Sequence, residues 1–519
     1  MHENITKKLA ALSTGVGLVL LCYMAYATIY GPYKTTFVHL AIFALCSFVA
    51  LFLDSITQNM ESKFGILKNS LLLVISVSVL GYFIIEFERL INLWGSTYLS
   101  SWDILLGGFF VIICIEASWR QSVVLGTLAI VACFYMLFGD YLPGIFSHAG
   151  MDFERFIYIV VYTSEGLFGT GLKVAATYLF MFIILGSVLR VTKTGDFMID
   201  MANGLLGSKV GGAAKGAMVA SAGLGTIVGS SIGNVLATGT FTIPLMKRTG
   251  FEPHVAAAVE TNTSEGAQLV PPILGASAFI MAQLTGIPYE VIALAAVVPA
   301  SLYYFSLYTV VHIEALKHNI SGLPDDEIPS IKKTFTRGWH LLVAPISLFY
   351  LLLIGSYTVT FASLIAIFTA VFFGLLRKHT RFTLKELIVF LSEGLSQSAR
   401  ITALVISIGL IQAAIVATGL GPRLTDIILD FSNGSLLMTA SLTVVAATVL
   451  GMGMPTPITY LLLAMFAAPA LIECGSTVLS AHLFLFYFAI KSGSTPPVAL
   501  VAVVAASIAE ANWFRTAMT

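Results

Sequence analysis

Three ionisable side chains stand inside long apolar runs: Glu260, Glu265 and Lys491. A charge at the centre of a membrane-spanning helix costs at least ~2.5 kcal/mol on insertion scales, so such residues are functional candidates by default. Near them, two apolar stretches are interrupted by small and polar residues, GSSIGN at 229–234 and GMGMPT at 451–456. Each is followed downstream by a proline pair, Pro271-Pro272 and Pro496-Pro497. Glycine permits a tight turn, proline removes a donor and breaks a helix, and Ser/Thr hydroxyls add oxygen ligands. Irregular backbone at membrane depth is tolerated only where it is buried in protein or lines a water-filled cavity. There its free N–H groups suit an anion, and its free carbonyls a hard cation such as sodium. The chemistry indicated is ion and solute binding inside a membrane.

Composition supports that setting. The 519 residues are 57% hydrophobic and only 10% charged, with a mean hydropathy of +0.92. Soluble domains carry roughly 25% charged residues, so this chain cannot cover a water-facing surface. A soluble globular protein and a disordered chain are excluded. The 27 basic and 27 acidic residues cancel, and with no global field a nucleic-acid partner is excluded too. Cys22, Cys46, Cys114, Cys133 and Cys474 are scattered without metal-ligand spacing. An HExxH zinc motif and a GxxxxGK[ST] phosphate cradle are absent from the sequence, and the one stretch with GxSxG spacing, GSSIG at 229–233, falls in the first interrupted apolar stretch, so an enzyme is not expected, nor any cofactor other than coupling ions.

A spanning helix needs ~20 mostly apolar residues. Twelve candidates follow: 9–30, 36–54, 69–87, 102–117, 121–138, 172–190, 253–283, 288–313, 338–356, 358–376, 396–417 and 479–511. The stretches 211–245 and 435–473 fit no clean span and are dense in Gly, Ser, Thr and Pro. Read as re-entrant helical hairpins, they bring the basic loop residues onto one side, with both termini cytoplasmic. The first hairpin then opens from the cytoplasm and the second from outside. MHENITKK at the start leads into an apolar run without a small-residue cleavage site, which reads as an uncleaved first helix. DFMIDMANGL at 196–205 reads as an amphipathic helix along the membrane surface. His254 and His482 begin spans and read as packing or capping residues. Trp94, Trp102 and Trp339 fit an aromatic belt at the interfaces.

An internal repeat organises this pattern. Pro244, Gly250, Pro271 and Pro272 recur as Pro469, Gly475, Pro496 and Pro497, all offset by 225 residues. Loop charges give the two copies opposite orientations. Inverted repeats with interrupted helices mark secondary transporters, whose substrate and ion sites lie near the midplane. A channel fits less well, since opposed hairpins suit alternating access rather than a symmetric pore. In the repeat register Lys491 matches Gly266, next to Glu265, so pseudo-symmetry would bring the two charges together. Three roles remain open at this stage: a buried structural ion pair, a lysine that replaces a bound cation or meets a substrate carboxylate, and two separate charges facing water.

These segments carry a family resemblance. GSSIGNVLATGTFTIPLMKRTGFEPHVAAAVE, QLVPPILGASAFIMAQ, GMGMPTPITYLLLAMFAAPALIECG and AHLFLFYFAIKSGSTPPVALVA resemble the large membrane subunit of TRAP transporters, in particular the TAXI branch, over roughly residues 150–519. Residues 1–117 resemble the small four-helix subunit in hydropathy and position only. The resemblance implies the following organisation: a small-subunit-like scaffold at 1–117, a fusion helix and connector at 118–150, a first repeat at 151–334 and an inverted repeat at 335–519. The fold implied is all-α and polytopic, an elevator-type transporter. It would import a small organic anion, commonly a carboxylate or dicarboxylate, with sodium. A periplasmic TAXI-type binding protein would deliver the anion to the bilayer.

By motif match, the resemblance places ion and substrate contacts at Gly229, Ser230, Ser231, Gly233 and Asn234 on the first tip. On the second tip it places them at Gly451, Gly453, Pro455 and Thr456. It takes Thr263 to Pro272 and Ser492 to Pro497 as unwound segments, with Thr263, Ser264, Glu265, Pro271, Ser492, Gly493, Thr495 and Pro496 as contacts. Sodium sites would fall within this set. The family pattern has a glutamate at 260, a small hydroxyl residue at 265 and an apolar residue at 491, so this chain departs at the last two. That departure leaves proton coupling as the alternative, together with an elevator symporter that works without a binding protein. Glu165, in Ser164-Glu165-Gly166, also resembles the family, as a helix-start residue or part of a docking face.

Overall fold

The computed structural model describes residues 2–60, 62–92, 99–228, 230–271, 273–452, 454–496 and 498–519. It is 81% helical, with no strand among the described residues. In chain order the helices used below are α1 (His2–Tyr30), α2 (Thr36–Gln58), α3 (Lys63–Ile85), α4 (Ser101–Gln121) and α5 (Val123–Phe138). Then come α6 (Phe153–Tyr162), α7 (Thr170–Val191), α8 (Thr194–Leu206), α9 (Gly212–Val228) and α10 (residues 231–248, with a π turn at Val235–Gly239). Next are α11 (Pro253–Gly266), α12 (Ala276–Thr285), α13 (Tyr289–Lys317), α14 (Ile331–Ile354), α15 (Val359–Leu375) and α16 (Leu384–Ala417). The chain continues with α17 (Leu420–Ser432), α18 (Leu436–Gly451), α19 (Thr456–Glu473), α20 (Val478–Lys491) and α21 (Leu500–Ala509).

Ten helices among the described residues are long and apolar enough to cross a membrane. The chain is therefore a multi-pass membrane protein. The stretches expected as single spans at 253–283 and 479–511 are each two shorter helices with a break between them: α11 and α12, and α20 and α21. Ahead of the expected span at 172–190 lies a short helix, α6, capped by Asp152 on the Arg155 amide. The amphipathic segment expected at 196–205 is α8. Trp94 lies outside the described residues.

The chain divides into two compact units, one of Met1–Ile183 with Leu391–Ile427 and one of Ile184–Phe390 with Ile428–Thr519. In the first, α2 packs between α1 and α3. An aromatic cluster of Phe83, Phe110, Tyr162 and Phe168 fills its interior, with ring centres 5.5–5.9 Å apart. Asp103 opens α4 in a capping box with Ser100 and is fully buried. Its carboxylate accepts from Arg89 at 2.7 Å and from the Tyr82 hydroxyl at 2.7 Å. The Tyr162 hydroxyl donates to its backbone carbonyl at 2.9 Å. The carboxylate of Asp54 takes hydroxyls from Ser13 at 2.7 Å and Ser396 at 2.6 Å, tying α1, α2 and α16 together by polar contacts. Among membrane helices such contacts add to van der Waals packing, because lipid supplies no hydrophobic drive.

In the second unit the 225-residue offset recurs in local geometry. Gly250 and Gly475 both sit at positive φ, +109° and +97°, where a side chain would be strained. The helix-ending bonds repeat in register. Gly250 and Phe251 donate to the carbonyls of Lys247 and Met246, and Gly475 and Ser476 donate to those of Ile472 and Leu471. This is a Schellman ending, made twice. Leu274 and Ala499, also 225 apart, both adopt positive φ without being glycine, and both donate four residues back, to Val270 and Thr495.

Breaking the Asp103 cluster tests the first unit. Asp103→Ala removes the buried partner of the Arg89 ion pair and takes the acceptor from the Tyr82 hydroxyl, while Arg89 keeps Glu86 at 3.1 Å. It should destabilise the detergent-solubilised protein by roughly 1–3 kcal/mol, read as a fall in thermal midpoint. A change within error would show that the cluster carries no weight.

Candidate functional site

The second helix break opens where the motifs place it, at Ser492, but the first begins later than they place it. Thr263, Ser264 and Glu265 were expected in an unwound segment, but they are helical and buried, in the last turns of α11. The Thr263 hydroxyl bonds the Val259 carbonyl at 2.7 Å, an ordinary i to i−4 contact that keeps the helix intact. After α11 a single 3-10 turn, Ala267–Leu269, precedes Val270, which is extended at ψ 122°. The residue before proline is pushed out of the α region, so Pro271 sets the break. The second break opens at Ser492, directly after α20, and lasts until Leu500 starts α21.

The first polar cluster surrounds Glu260, which is fully buried. Its carboxylate accepts from the hydroxyls of Thr238, Thr242 (2.6 Å), Ser221 (3.3 Å) and Ser264 (3.4 Å). These four come from α9, α10 and α11, so the glutamate ties three helices at one point. Asn234 joins through its Nδ2, which donates to the Ser221 backbone carbonyl at 3.0 Å and hydroxyl at 2.8 Å. Its Oδ1 is buried and has no protein partner. An unmatched buried oxygen costs ~1–3 kcal/mol, so this atom is suited to a cation.

The two tips meet through one side chain. Gln268 donates its Nε2 to the Ser231 hydroxyl on the first tip and to Thr456 on the second at 3.4 Å. Ser492 at the second break donates to the Met454 carbonyl of the second tip at 3.3 Å. Ser231, Gln268, Met454, Thr456 and Ser492 therefore form one junction, of which the motif match had picked out Ser231, Thr456 and Ser492. Gly451 lies beside Ser492, where an added Cβ would come within 2.7 Å of the serine Cβ. Ser230 caps the start of α10 by accepting from the Gly233 amide at 3.3 Å, and Pro455 stands at the equivalent cap of α19. Thr495 spends its hydroxyl on the Lys491 carbonyl at 2.7 Å. Pro271 lines a separate cleft. Pro496 lies in the second break, four residues before α21 begins. Gly229, Gly453, Pro272 and Pro497 lie outside the described residues.

The second cluster joins α11, α13 and the second break. Lys491 Nζ lies 2.7 Å from Asn262 Oδ1, 3.0 Å from the Tyr303 hydroxyl and 3.4 Å from Glu265 Oε2. Ser494 also donates to Glu265 Oε2, at 2.9 Å. Gly493 leaves room for the carboxylate, since a Cβ there would stand 2.9 Å from Glu265 Oε1. The lysine side chain is partly exposed and the glutamate fully buried. Tyr303 and Tyr304 of α13 donate their hydroxyls to the carbonyls of Asn262 (2.7 Å) and Thr263 (2.8 Å). His482, expected as a packing residue, pairs with the buried Tyr460 hydroxyl at 2.7 Å.

The motif match did not single out Gln268, Asn262, Tyr303, Ser221, Thr238 and Thr242. The Ser and Thr residues have no mark in sequence beyond spacing along apolar helices. Gln268 does have one, a long amide three residues before Pro271 in an apolar run.

A double-mutant cycle on thermal midpoint measures the second cluster. Glu265→Leu and Lys491→Leu should each destabilise, and the pair together by less than the sum, with an interaction energy of about 0.5–3 kcal/mol. Strict additivity would mean that the two charges do not interact.

Two comparisons place this geometry among known proteins. Residues 106–519 match the family described as "Tripartite ATP-independent periplasmic transporter, DctM component". A protein of Haemophilus influenzae described as a TRAP transporter large permease is 24% identical over 296 residues, 57% of this chain and 68% of that protein. Residues 1–105 fall outside the family match. Since the match covers well over half of the chain, it belongs to the DctM family of TRAP large permeases, and it is a membrane transporter component rather than a member of an enzyme family.

Proposed function

We propose that the chain is the fused membrane permease of a TAXI-type TRAP system. Residues 1–117 would serve as the small-subunit part, 118–150 as the fusion helix and connector, and 151–334 and 335–519 as inverted repeats with re-entrant hairpins at 211–245 and 435–473. The permease imports a small organic anion, a carboxylate by class, handed over by a periplasmic substrate-binding protein. It sits in a bacterial or archaeal inner membrane with both termini cytoplasmic, and it works as an elevator driven by a sodium gradient.

The observation that carries this reading is the junction at Gln268. Both tips and both helix breaks come together there, and the first tip also carries the Oδ1 of Asn234, buried and unmatched among the described residues. Broken helices offer free amides to an anion and free carbonyls to a cation. The hydroxyls of Ser231, Thr456 and Ser492 add the oxygen ligands that a hard cation prefers.

A second reading, proton coupling, is favoured by one observation. Lys491 already places an ammonium among the oxygens of Asn262, Tyr303 and Glu265 at the second break. A tethered ammonium of this kind fills a cation position, and the buried carboxylate beside it is a proton acceptor.

Thermal stability in sodium chloride against choline chloride at equal ionic strength separates the two. Sodium that binds only the folded state should stabilise it by about 2.7 kcal/mol at a hundred times its dissociation constant. A sodium-specific rise in the wild type supports sodium coupling. No rise in the wild type, with a rise in the Glu265→Thr/Lys491→Leu double variant, supports the proton reading. No rise in either removes sodium from the mechanism. In proteoliposomes supplied with the binding protein, Ser231→Ala, Gln268→Leu and Thr456→Ala should each cut uptake about tenfold or more, the loss of ~1.4 kcal/mol of binding, without changing membrane insertion. Normal uptake by all three would sink the site assignment.

A further inference from the structure

A further charged side chain lies inside the second unit, apart from both polar clusters. Lys215, in the first turn of α9, is 2% exposed. Its Nζ donates to His312 Nδ1 at 3.0 Å and sits 4.6 Å from the centre of the Tyr308 ring. Neither contact is a carboxylate. An ammonium has three donors, and within a membrane such a group ordinarily pairs with another ionisable residue or with backbone carbonyls. Here an imidazole and an aromatic face take that place, and no carboxylate among the described residues pairs with the ammonium.

Lys215 stands at one end of a cleft of about 380 Å³. Val219 and Ala222 of α9 and Val297 and Ala300 of α13 line its length, and Pro271 lies at the far end. The lining positions recur at helical spacing on both helices, so each helix presents one face. From Lys215 to Ala222 is ~10 Å of helix, and from Tyr308 back to Val297 is ~16 Å. The trough is thus charged at one end and mostly apolar along the rest, with Ser301 and Tyr304 of α13 also in its wall. Val219 is 47% exposed and Val297 44%, and the neighbouring Leu294 and Val298 exceed 60%. The rim therefore opens onto the surrounding hydrocarbon. The charged end lies close to where α9 begins and toward the end of α13; along the chain Lys209 precedes α9 and Lys317, paired with Glu314 at 3.9 Å, ends α13. Lysine at helix ends marks the cytoplasmic surface, which sets Lys215 near the depth of inner-leaflet head groups.

We propose that this cleft is a binding site for an anionic phospholipid of the inner leaflet, with one acyl chain in the trough and the phosphate drawn to Lys215. Basic pockets between transmembrane helices on this side bind such head groups, and the volume falls within the ~300–1,000 Å³ range of ligand pockets. The end of the chain reaches Pro271, the residue that sets the first helix break. The lipid thereby contacts the backbone on which the junction at Gln268 is built.

Native mass spectrometry of the purified, delipidated full chain tests this. The probes are phosphatidylglycerol, phosphatidylcholine with the same acyl chains, and palmitate. Wild-type protein should retain phosphatidylglycerol over phosphatidylcholine. Lys215→Met should reduce that preference roughly fivefold, and Lys385→Gln, at an exposed lysine away from the cleft, should leave it unchanged. Ala222→Phe fills the trough while keeping the charge, and should weaken binding of both lipids. That variant decides the matter if Lys215→Met fails to fold. An unchanged preference in Lys215→Met, or unchanged lipid binding in Ala222→Phe, overturns the proposal. So does wild-type protein that shows no preference, or that binds palmitate in place of the phospholipid.

Discussion

A backbone N–H or C=O without a partner inside hydrocarbon costs several kcal/mol, and two segments of this chain leave the helix among apolar surroundings. Much else in the second unit answers that constraint. Val270 and Gly275 donate to Ala267 and Gln268 across the first break, and Val501 donates to Gly493 across the second. The α13 tyrosines deliver hydroxyls to the carbonyls at the end of α11, and Tyr289 delivers one to Ile273. Lys247 donates to the last carbonyl of α21 at 2.7 Å. With these groups matched, the breaks persist as fixed geometry rather than as frayed helix ends.

The buried carboxylates follow the same rule with two different solutions. Glu260 is matched by hydroxyls alone, which bind a carboxyl group without bringing a counter-charge. Glu265 is matched by an ammonium, and its second oxygen remains buried without a partner. The first arrangement pins three helices together. The second concentrates charge at the junction of α11 and the second break.

The repeat shows how one local solution is used twice. Helix ending, positive-φ residue and break recur at the same offset, yet the side chains that fill the two copies differ. Gly266 in one corresponds to Lys491 in the other, and Ser230 to Pro455. The backbone plan is duplicated, and the chemistry is divided between the copies.

Residue types and spacing alone pointed to the membrane setting and the helical class, and they marked the stretches where the helices are interrupted. Each of these follows from local rules: apolar run length, the lost donor of proline, and the conformational freedom of glycine. Position along the chain also marked Glu260, Glu265 and Lys491 as charges in the wrong solvent. Tertiary structure decided which oxygens face which. It carried α11 helically through Glu265 to Gly266, because threonine hydroxyls bond back within the helix until Pro271 forbids it. It brought Gln268 between two tips 225 residues apart and set Asn262 and Tyr303 around Lys491. It also left Lys215 without a carboxylate partner among the described residues, a fact invisible in GGAAKGAMVA. Sequence periodicity reports which side of a helix is apolar, whereas contacts between side chains hundreds of residues apart depend on how the helices pack.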